Sequence, residues 1–196
     1  MRRWVVTGPA GAGKSVFCGF LARAGAAVLD GDSLGHQVLE MPEISAVLAR
    51  EFGSRVIREG SVDRGVLGGL VFGDPISLER LNSITHRPLS ELAAAGMEDL
   101  EKAGLHRLAV LEAAVYFLLP PVPGVELVIT VTASEAVRRK RLMEWSGLDD
   151  EAARSRILAQ RPLAKGWASA DVVVRNEGSL ASLEDGAAAL LARLED

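Results

Sequence analysis

Short, continuous apolar runs alternate along this chain with longer stretches whose apolar residues recur three and four positions apart, the signature of strands alternating with helices. Trp4-Val5-Val6-Thr7 reads as a first strand running into a glycine-rich turn. Residues 15–24 then place Val16, Phe17, Phe20 and Leu21 at helical spacing. Gly25 ends that helix, and Ala26-Ala27-Val28-Leu29-Asp30 reads as a second strand, set parallel to the first by a right-handed crossover. From Asp32 to about Gly104 the spacing predicts helices, with Val47, Leu48 and Phe52 on one and Leu67, Leu70 and Val71 on another, and no strong strand. Leu108-Ala109-Val110-Leu111 and Leu127-Val128-Ile129-Thr130-Val131 have the uninterrupted apolar character of parallel strands buried on both faces, and Asp171-Val172-Val173-Val174 is a fifth strand. Helices are predicted over 134–144, over 149–161 with Asp149 as N-cap, and over 180–194.

This order predicts an α/β fold, a doubly wound five-stranded parallel sheet with two helical appendages. We expect a single domain over 1–196, with its core in 1–31, 105–133 and 170–196, a helical insertion over 32–104 and a lid hairpin over 134–169. A chain of 196 residues is long enough to bury one substantial core.

Composition narrows the partners. With 48% hydrophobic and 24% charged residues and a formal net charge of -4, the chain is not expected to bind nucleic acid or an anionic membrane, so an anionic ligand must be held by local groups. The longest apolar run is interrupted by Glu112 and by Pro120, Pro121 and Pro123, and falls short of the roughly 20 residues that span a bilayer. Met1-Arg2-Arg3-Trp4-Val5-Val6 has the look of a short signal peptide, but the turn that follows ends its apolar stretch at once. A cytoplasmic location is the expectation. The single cysteine, Cys18, excludes an intramolecular disulfide and, flanked by Phe17 and near Phe20, is expected to be core.

Gly8-Pro9-Ala10-Gly11-Ala12-Gly13-Lys14-Ser15 fits G-x-x-x-x-G-K-[ST] between a predicted strand and a predicted helix. Consecutive backbone N–H groups from Gly11 through Ala12, Gly13, Lys14, Ser15 and Val16 then meet phosphate oxygens at a helix N-terminus. Small residues let the backbone wrap closely; Lys14 is placed to bridge the β- and γ-phosphates and Ser15 to ligate Mg2+. The ligand expected is Mg-ATP.

Asp30-Gly31-Asp32 ends the second strand, where open α/β sheets place their ligands. A strand continuing through the triplet puts both carboxylates on one side; a helix starting there makes one of them a cap. Either way a carboxylate beside the γ-phosphate can accept a proton from a hydroxyl acceptor. Glu112, at the end of the third strand, is either a solvated charge or a group that orients metal-bound water. Arg138, Arg139, Lys140 and Arg141 form a basic run within one predicted helix, of which at most two share a face, and Arg154, Arg156, Arg161 and Lys165 follow on the next arm. Such a run is a solvated basic face or, after the fourth strand, a lid that brings positive charge to the phosphates.

Several further segments resemble the dephospho-coenzyme A kinase family in order and spacing. They are Val28-Leu29-Asp30-Gly31-Asp32, His36-Gln37-Val38, Phe52-Gly53, Val62-Asp63-Arg64 with Leu67, Val71-Phe72, Leu81-Asn82 and His86. Towards the C-terminus come Arg141-Leu142, Arg156-Ile157, Gln160, and Ala170-Asp171-Val172-Val173-Val174 with Asn176 and Gly178-Ser179. The resemblance implies a P-loop kinase fold and phosphorylation of the ribose 3′-hydroxyl of dephospho-CoA by ATP. By that resemblance Asp32 is the general base, Lys14 and Ser15 hold phosphate and metal, Arg141 belongs to the lid, and Asn176 and Gly178 lie near the adenine. Asp30, Arg64 and His86 are then acceptor-binding residues. Read without it, Arg64 is equally a surface ion pair and His86 a hydrogen-bonded core or capping residue.

The chain departs from the family pattern after the third strand. Glu112-Ala113-Ala114-Val115-Tyr116-Phe117-Leu118 lacks the usual proline and a later glutamate, His-Pro becomes His86-Arg87-Pro88, and the second lid arginine is Trp145. An indole can stack on a base but cannot make a guanidinium fork to phosphate. A related kinase with another acceptor, or an ATP-binding regulatory protein without turnover, are the alternative expectations. Oligomeric state has no signal in the sequence.

Overall fold

The computed structural model describes residues 1–71 and 73–193, so Phe72 and the end of the predicted C-terminal helix at Leu194 lie outside the described residues. The apolar runs become β1 (Arg2–Thr7), β2 (Ala27–Asp30), β5 (Leu108–Glu112), β6 (Leu127–Thr132) and β7 (Val172–Arg175) of one sheet in the order β2-β5-β1-β6-β7. Every neighbouring pair is parallel. Central β1 and its neighbour β5 are buried along most of their length, which is why Val5, Val6, Ala109 and Val110 read as unbroken apolar sequence.

The described residues divide into two compact units, one of 1–30, 96–118 and 123–193, the other of the described residues within 31–95 and 119–122. In the first, α1 (Lys14–Arg23) and α9 (Leu180–Ala192) join the sheet in one core: Phe17, Leu21, Leu183 and Ala187 pack with Trp4, Val6, Val110 and Ile129. Each large apolar side chain so buried contributes about 1.5–3 kcal/mol. Cys18 belongs to this core, and burial, then the Glu112 carboxylate, push its thiol far above the ordinary range. Beyond β6 come α6 (Glu135–Ser146) and α7 (Asp150–Ala159), whose N-cap is Asp149 accepting from Ala152 N at 2.8 Å, then the short α8 (Ala164–Ala168).

The second unit contains α2 (Gly31–Glu40), α3 (Pro42–Phe52), α4 (Arg64–Val71) and the first two-thirds of α5 (Pro75–Ala103). Val38, Leu48, Val56, Leu67 and Val71 are among its buried apolar residues. The sequence pattern predicted no strong strand here, and the only pairing among the described residues of this unit is a short antiparallel hairpin of β3 (Ile57–Arg58) and β4 (Ser61–Val62). Its two-residue turn, Glu59-Gly60, takes positive φ at both positions, 53° and 83°, a turn whose usual sequence is Asn-Gly. Two-residue strands bearing Arg58 and Ser61 have no legible alternation. α5 runs 29 residues straight through Pro88.

The extended reading of the Asp30-Gly31-Asp32 triplet is overturned. β2 ends at Asp30 and Gly31 is already helical, so Asp32 sits in the first turn of α2, where the helix dipole favours a carboxylate.

Candidate active site

The sheet's carboxyl edge gathers the chemistry of the first unit. β1 ends at Thr7 and the chain turns through Gly8, whose φ is 133° and whose position tolerates no Cβ, because one would overlap the Val131 carbonyl oxygen on β6. Gly13 is the N-cap of α1 in a left-handed conformation, φ 95°, and a Cβ there would meet the Asn176 carboxamide. The loop closes on itself through Ala12 N to Pro9 O, 3.2 Å, and α1 begins with Phe17 N to Gly13 O, 3.0 Å. The first-turn N–H groups of such a helix have no carbonyl within it, so residues 13–16 present donors of the kind that can meet an anion.

Three side chains from different elements hold this loop. Asn176, just past β7 and 6% exposed, donates from Nδ2 to Ala12 O at 2.8 Å and accepts from Arg141 Nη2 at 3.3 Å. Arg141 on α6 also makes long bonds to Gly11 O, 3.4 Å, and Ala12 O, 3.5 Å, and its guanidinium lies over the Trp145 ring at 5.5 Å. Gln160, at the end of α7, accepts from Ala10 N at 2.8 Å. The Ala10 methyl packs with Leu142, Ala153 and Ile157, the apolar heart of the α6–α7 hairpin.

Lys14 Nζ donates to Pro9 O at 3.4 Å, and Ser15 Oγ donates to Glu112 Oε1 at 2.7 Å. Asp30 and Glu112 are register partners at the ends of β2 and β5. The basic run resolves by periodicity: the Arg138 side chain donates to Ala133 O while its backbone lies against Gly11, Arg139 pairs with Asp150, Lys140 pairs with Glu144, and the Arg141 side chain donates to the phosphate loop. On the next arm Arg154 pairs with Asp150 and Arg161 with Glu135, so these charges are largely spent in exposed ion pairs.

The altered segment after β5 has its own anchor. Ala114 O accepts from Thr7 Oγ1 and from Trp167 Nε1, each at 3.3 Å, and Phe117 lies so close to Gly166 of α8 that a Cβ there would not fit. Tyr116 stacks edge-on to Phe117 at 5.5 Å, and burial raises its hydroxyl's pKa.

In the second unit Arg64 opens α4, which Asp63 caps by accepting from Gly65 N and Val66 N at 3.0 Å. Arg64 and His36 line one cavity of about 200 Å3 with Leu39, Glu40, Ser61 and Val62. His86 lies on α5, half-buried. Sequence reasoning gave no role to Gln160 or His36, since a polar residue at a helix end or on a helix face carries no periodicity of its own.

A dephospho-CoA kinase family model matches residues 4–182. This chain belongs to the dephospho-CoA kinase family. A dephospho-CoA kinase of Syntrophotalea carbinolica is 36% identical over 192 residues, covering 96% of this chain and 90% of that protein. A Thermus thermophilus protein of known structure superposes with a TM-score of 0.78 at 33% identity, covering 98% of this chain and 97% of that one. A shikimate kinase of Acinetobacter baumannii, 10% identical, shares the fold at a TM-score of 0.52, with 99% and 93% of the two chains covered. The fold is that of the P-loop kinases.

Proposed function

We propose that the protein transfers the γ-phosphoryl group of ATP to the ribose 3′-hydroxyl of dephospho-CoA, giving coenzyme A and ADP, the last step of coenzyme A synthesis. The observation that carries this reading is the phosphate loop itself, held by Asn176, Arg141 and Gln160 and opening beside the Ser15–Glu112 pair, in a chain of this family.

The backbone N–H groups of Gly11, Ala12, Gly13, Lys14, Ser15 and Val16 receive the phosphates, and the Lys14 ammonium meets the charge that gathers on the transferring group. Asp32 accepts the proton of the 3′-hydroxyl as its oxygen bonds to the γ-phosphorus and the bond to the β-phosphate oxygen breaks. Arg141 adds positive charge at the loop, acting on the nucleotide together with Asn176, while Gly178, with open space where its Cβ would be, borders the adenine. Asp30, Arg64 and His86 bind the acceptor. The domain division expected from the sequence, with a core, an insertion over 32–104 and a lid over 134–169, is the working scheme for which segments carry donor and acceptor.

Mg2+ fits the donor set. Ser15 Oγ and Glu112 Oε1 lie within hydrogen-bond distance, two hard oxygen donors of the kind this cation takes along with phosphate and water. Among the described residues no three His, Cys, Asp or Glu side chains cluster as a self-sufficient metal site. When bound, it neutralises phosphate charge. Among the described residues no helix is long and apolar enough to cross a membrane. A cytoplasmic location is part of this proposal, supported by the single thiol, free and buried, which suits a reducing compartment.

Coupled detection of ADP with dephospho-CoA as acceptor tests the reading. Wild type should turn over with Mg2+ and stop in EDTA, and Asp32→Ala should lose at least about a hundredfold in kcat, the scale of general-base catalysis. Absence of turnover in wild type, or an active Asp32→Ala, would refute it; adenosine and shikimate in the same assay expose a different acceptor.

A further inference from the structure

We propose that Gln160 is a positioning residue for Lys14, acting through a single peptide plane. The Pro9–Ala10 peptide carries both ends of the argument. Its N–H, on Ala10, donates to Gln160 Oε1 at 2.8 Å, and its carbonyl, on Pro9, accepts from Lys14 Nζ at 3.4 Å and from Ala12 N at 3.2 Å. In a planar trans peptide the N–H and C=O point in opposite directions. A side chain that fixes the N–H on one side therefore fixes the carbonyl on the other.

Packing alone does not supply this restraint. The Ala10 methyl is seated against Leu142, Ala153 and Ile157, which holds the Cα but does not itself orient the preceding peptide plane; Ala12 N ties that plane at its carbonyl edge and Gln160 at its N–H edge. Ala10 is 8% exposed, so its N–H finds little water if the carboxamide is withdrawn, and a buried donor without a partner turns toward another acceptor. Rotation of the plane would present an N–H to the Lys14 ammonium in place of a carbonyl and drive the two apart. Gln160 is well built to resist it. It ends α7 with its own N–H on Ile157 O at 3.2 Å, and its carbonyl accepts from Leu163 N at 3.0 Å, so the carboxamide projects from a fixed stub.

This inference rests on the reading that Lys14 meets the ATP phosphates, and its test uses binding as well as turnover so that the two fail separately. Gln160→Met keeps the length of the side chain and removes the acceptor; Gln160→Glu keeps an acceptor oxygen. By calorimetry, ATP should bind Gln160→Met about tenfold more weakly than wild type, the size of one buried hydrogen bond, with Gln160→Glu restored to within about threefold. In turnover, the KM for ATP should rise in Gln160→Met while the KM for dephospho-CoA stays within about twofold. In a Lys14→Met background the Gln160→Met substitution should cost nothing further, because its effect runs through Lys14. ATP binding by Gln160→Met equal to wild type, equal losses in the Met and Glu variants, or additivity with Lys14→Met would each overturn the proposal. If wild type binds ATP but leaves dephospho-CoA untouched, the acceptor assignment fails and the binding cycle still decides the role of Gln160.

Discussion

Asn176→Leu isolates the support that the phosphate loop receives from below. The side chain is 6% exposed, and its Nδ2 donates to Ala12 O at 2.8 Å, while Ala12 itself is fully buried. Leucine keeps the branched shape, removes the donor and leaves no room for water, so the Ala12 carbonyl loses its short bond and retains only the long one from Arg141 at 3.5 Å. A buried acceptor stranded in this way costs about 1–3 kcal/mol. In a chain of 196 residues each kcal/mol moves the midpoint by about 2–4 °C, so the variant should melt about 2–12 °C below wild type. Asn176→Ala opens space that a water can enter and should lie between the two. The nucleotide provides the second readout. Saturating wild type at about 100 times Kd should raise its stability by about 2.7 kcal/mol, and the same ATP concentration should raise Asn176→Leu by less, because the loop that receives the phosphates has lost its brace. Differential scanning fluorimetry with and without ATP measures both effects. A Leu variant that melts within about 1 °C of wild type and shows the same ATP-induced shift would refute the claim that this hydrogen bond supports the loop.

Burial, reinforced by Glu112, raises the Cys18 thiol, so the thiolate fraction of the folded protein stays negligible through ordinary alkaline pH; a thiol reagent at pH 8 should leave native protein unmodified and label it fully in denaturant. Since the raised pKa favours the neutral thiol in the folded state, any contribution of Cys18 to stability is present at neutral pH and falls as pH rises through the unfolded thiol's ordinary value, which a Cys18→Ala melting series at pH 7 and pH 10 checks. Trp145 is 65% exposed whereas Trp4 and Trp167 are buried, so acrylamide should quench chiefly the Trp145 share of the emission, and Trp145→Phe should abolish that component; ATP bound beside Arg141 should shield it.

What could be read in the sequence follows from which forces leave a periodic trace. The five strands of the main sheet lie between helices, so Val5, Val110 and Ile129 had to be apolar on consecutive positions, and those runs were visible. The phosphate loop was visible because close backbone approach admits only small residues at Gly8 and Gly13. The β3–β4 hairpin left no such trace, since its strands are two residues long and its turn uses Glu59 where asparagine would have signalled it. Asp32 was ambiguous because Asp-Gly-Asp suits a strand end and a helix start alike, and only the start of α2 at Gly31 resolves it. The bonds from Asn176, Arg141 and Gln160 to the loop span 129 to 164 residues of sequence, and no local pattern foretells them.

Ala10 has a consequence for anyone who would exchange parts between enzymes of this kind. Its methyl completes the apolar centre of the α6–α7 hairpin, so that hairpin, cut out at its own termini, leaves one of its packing residues behind in the recipient's phosphate loop. A larger residue at position 10 would pry at Leu142 and Ile157 from within, and a glycine would leave a hole there. The portable module is the hairpin together with residue 10, and a chimera assembled without that match should fail first at the seam between them.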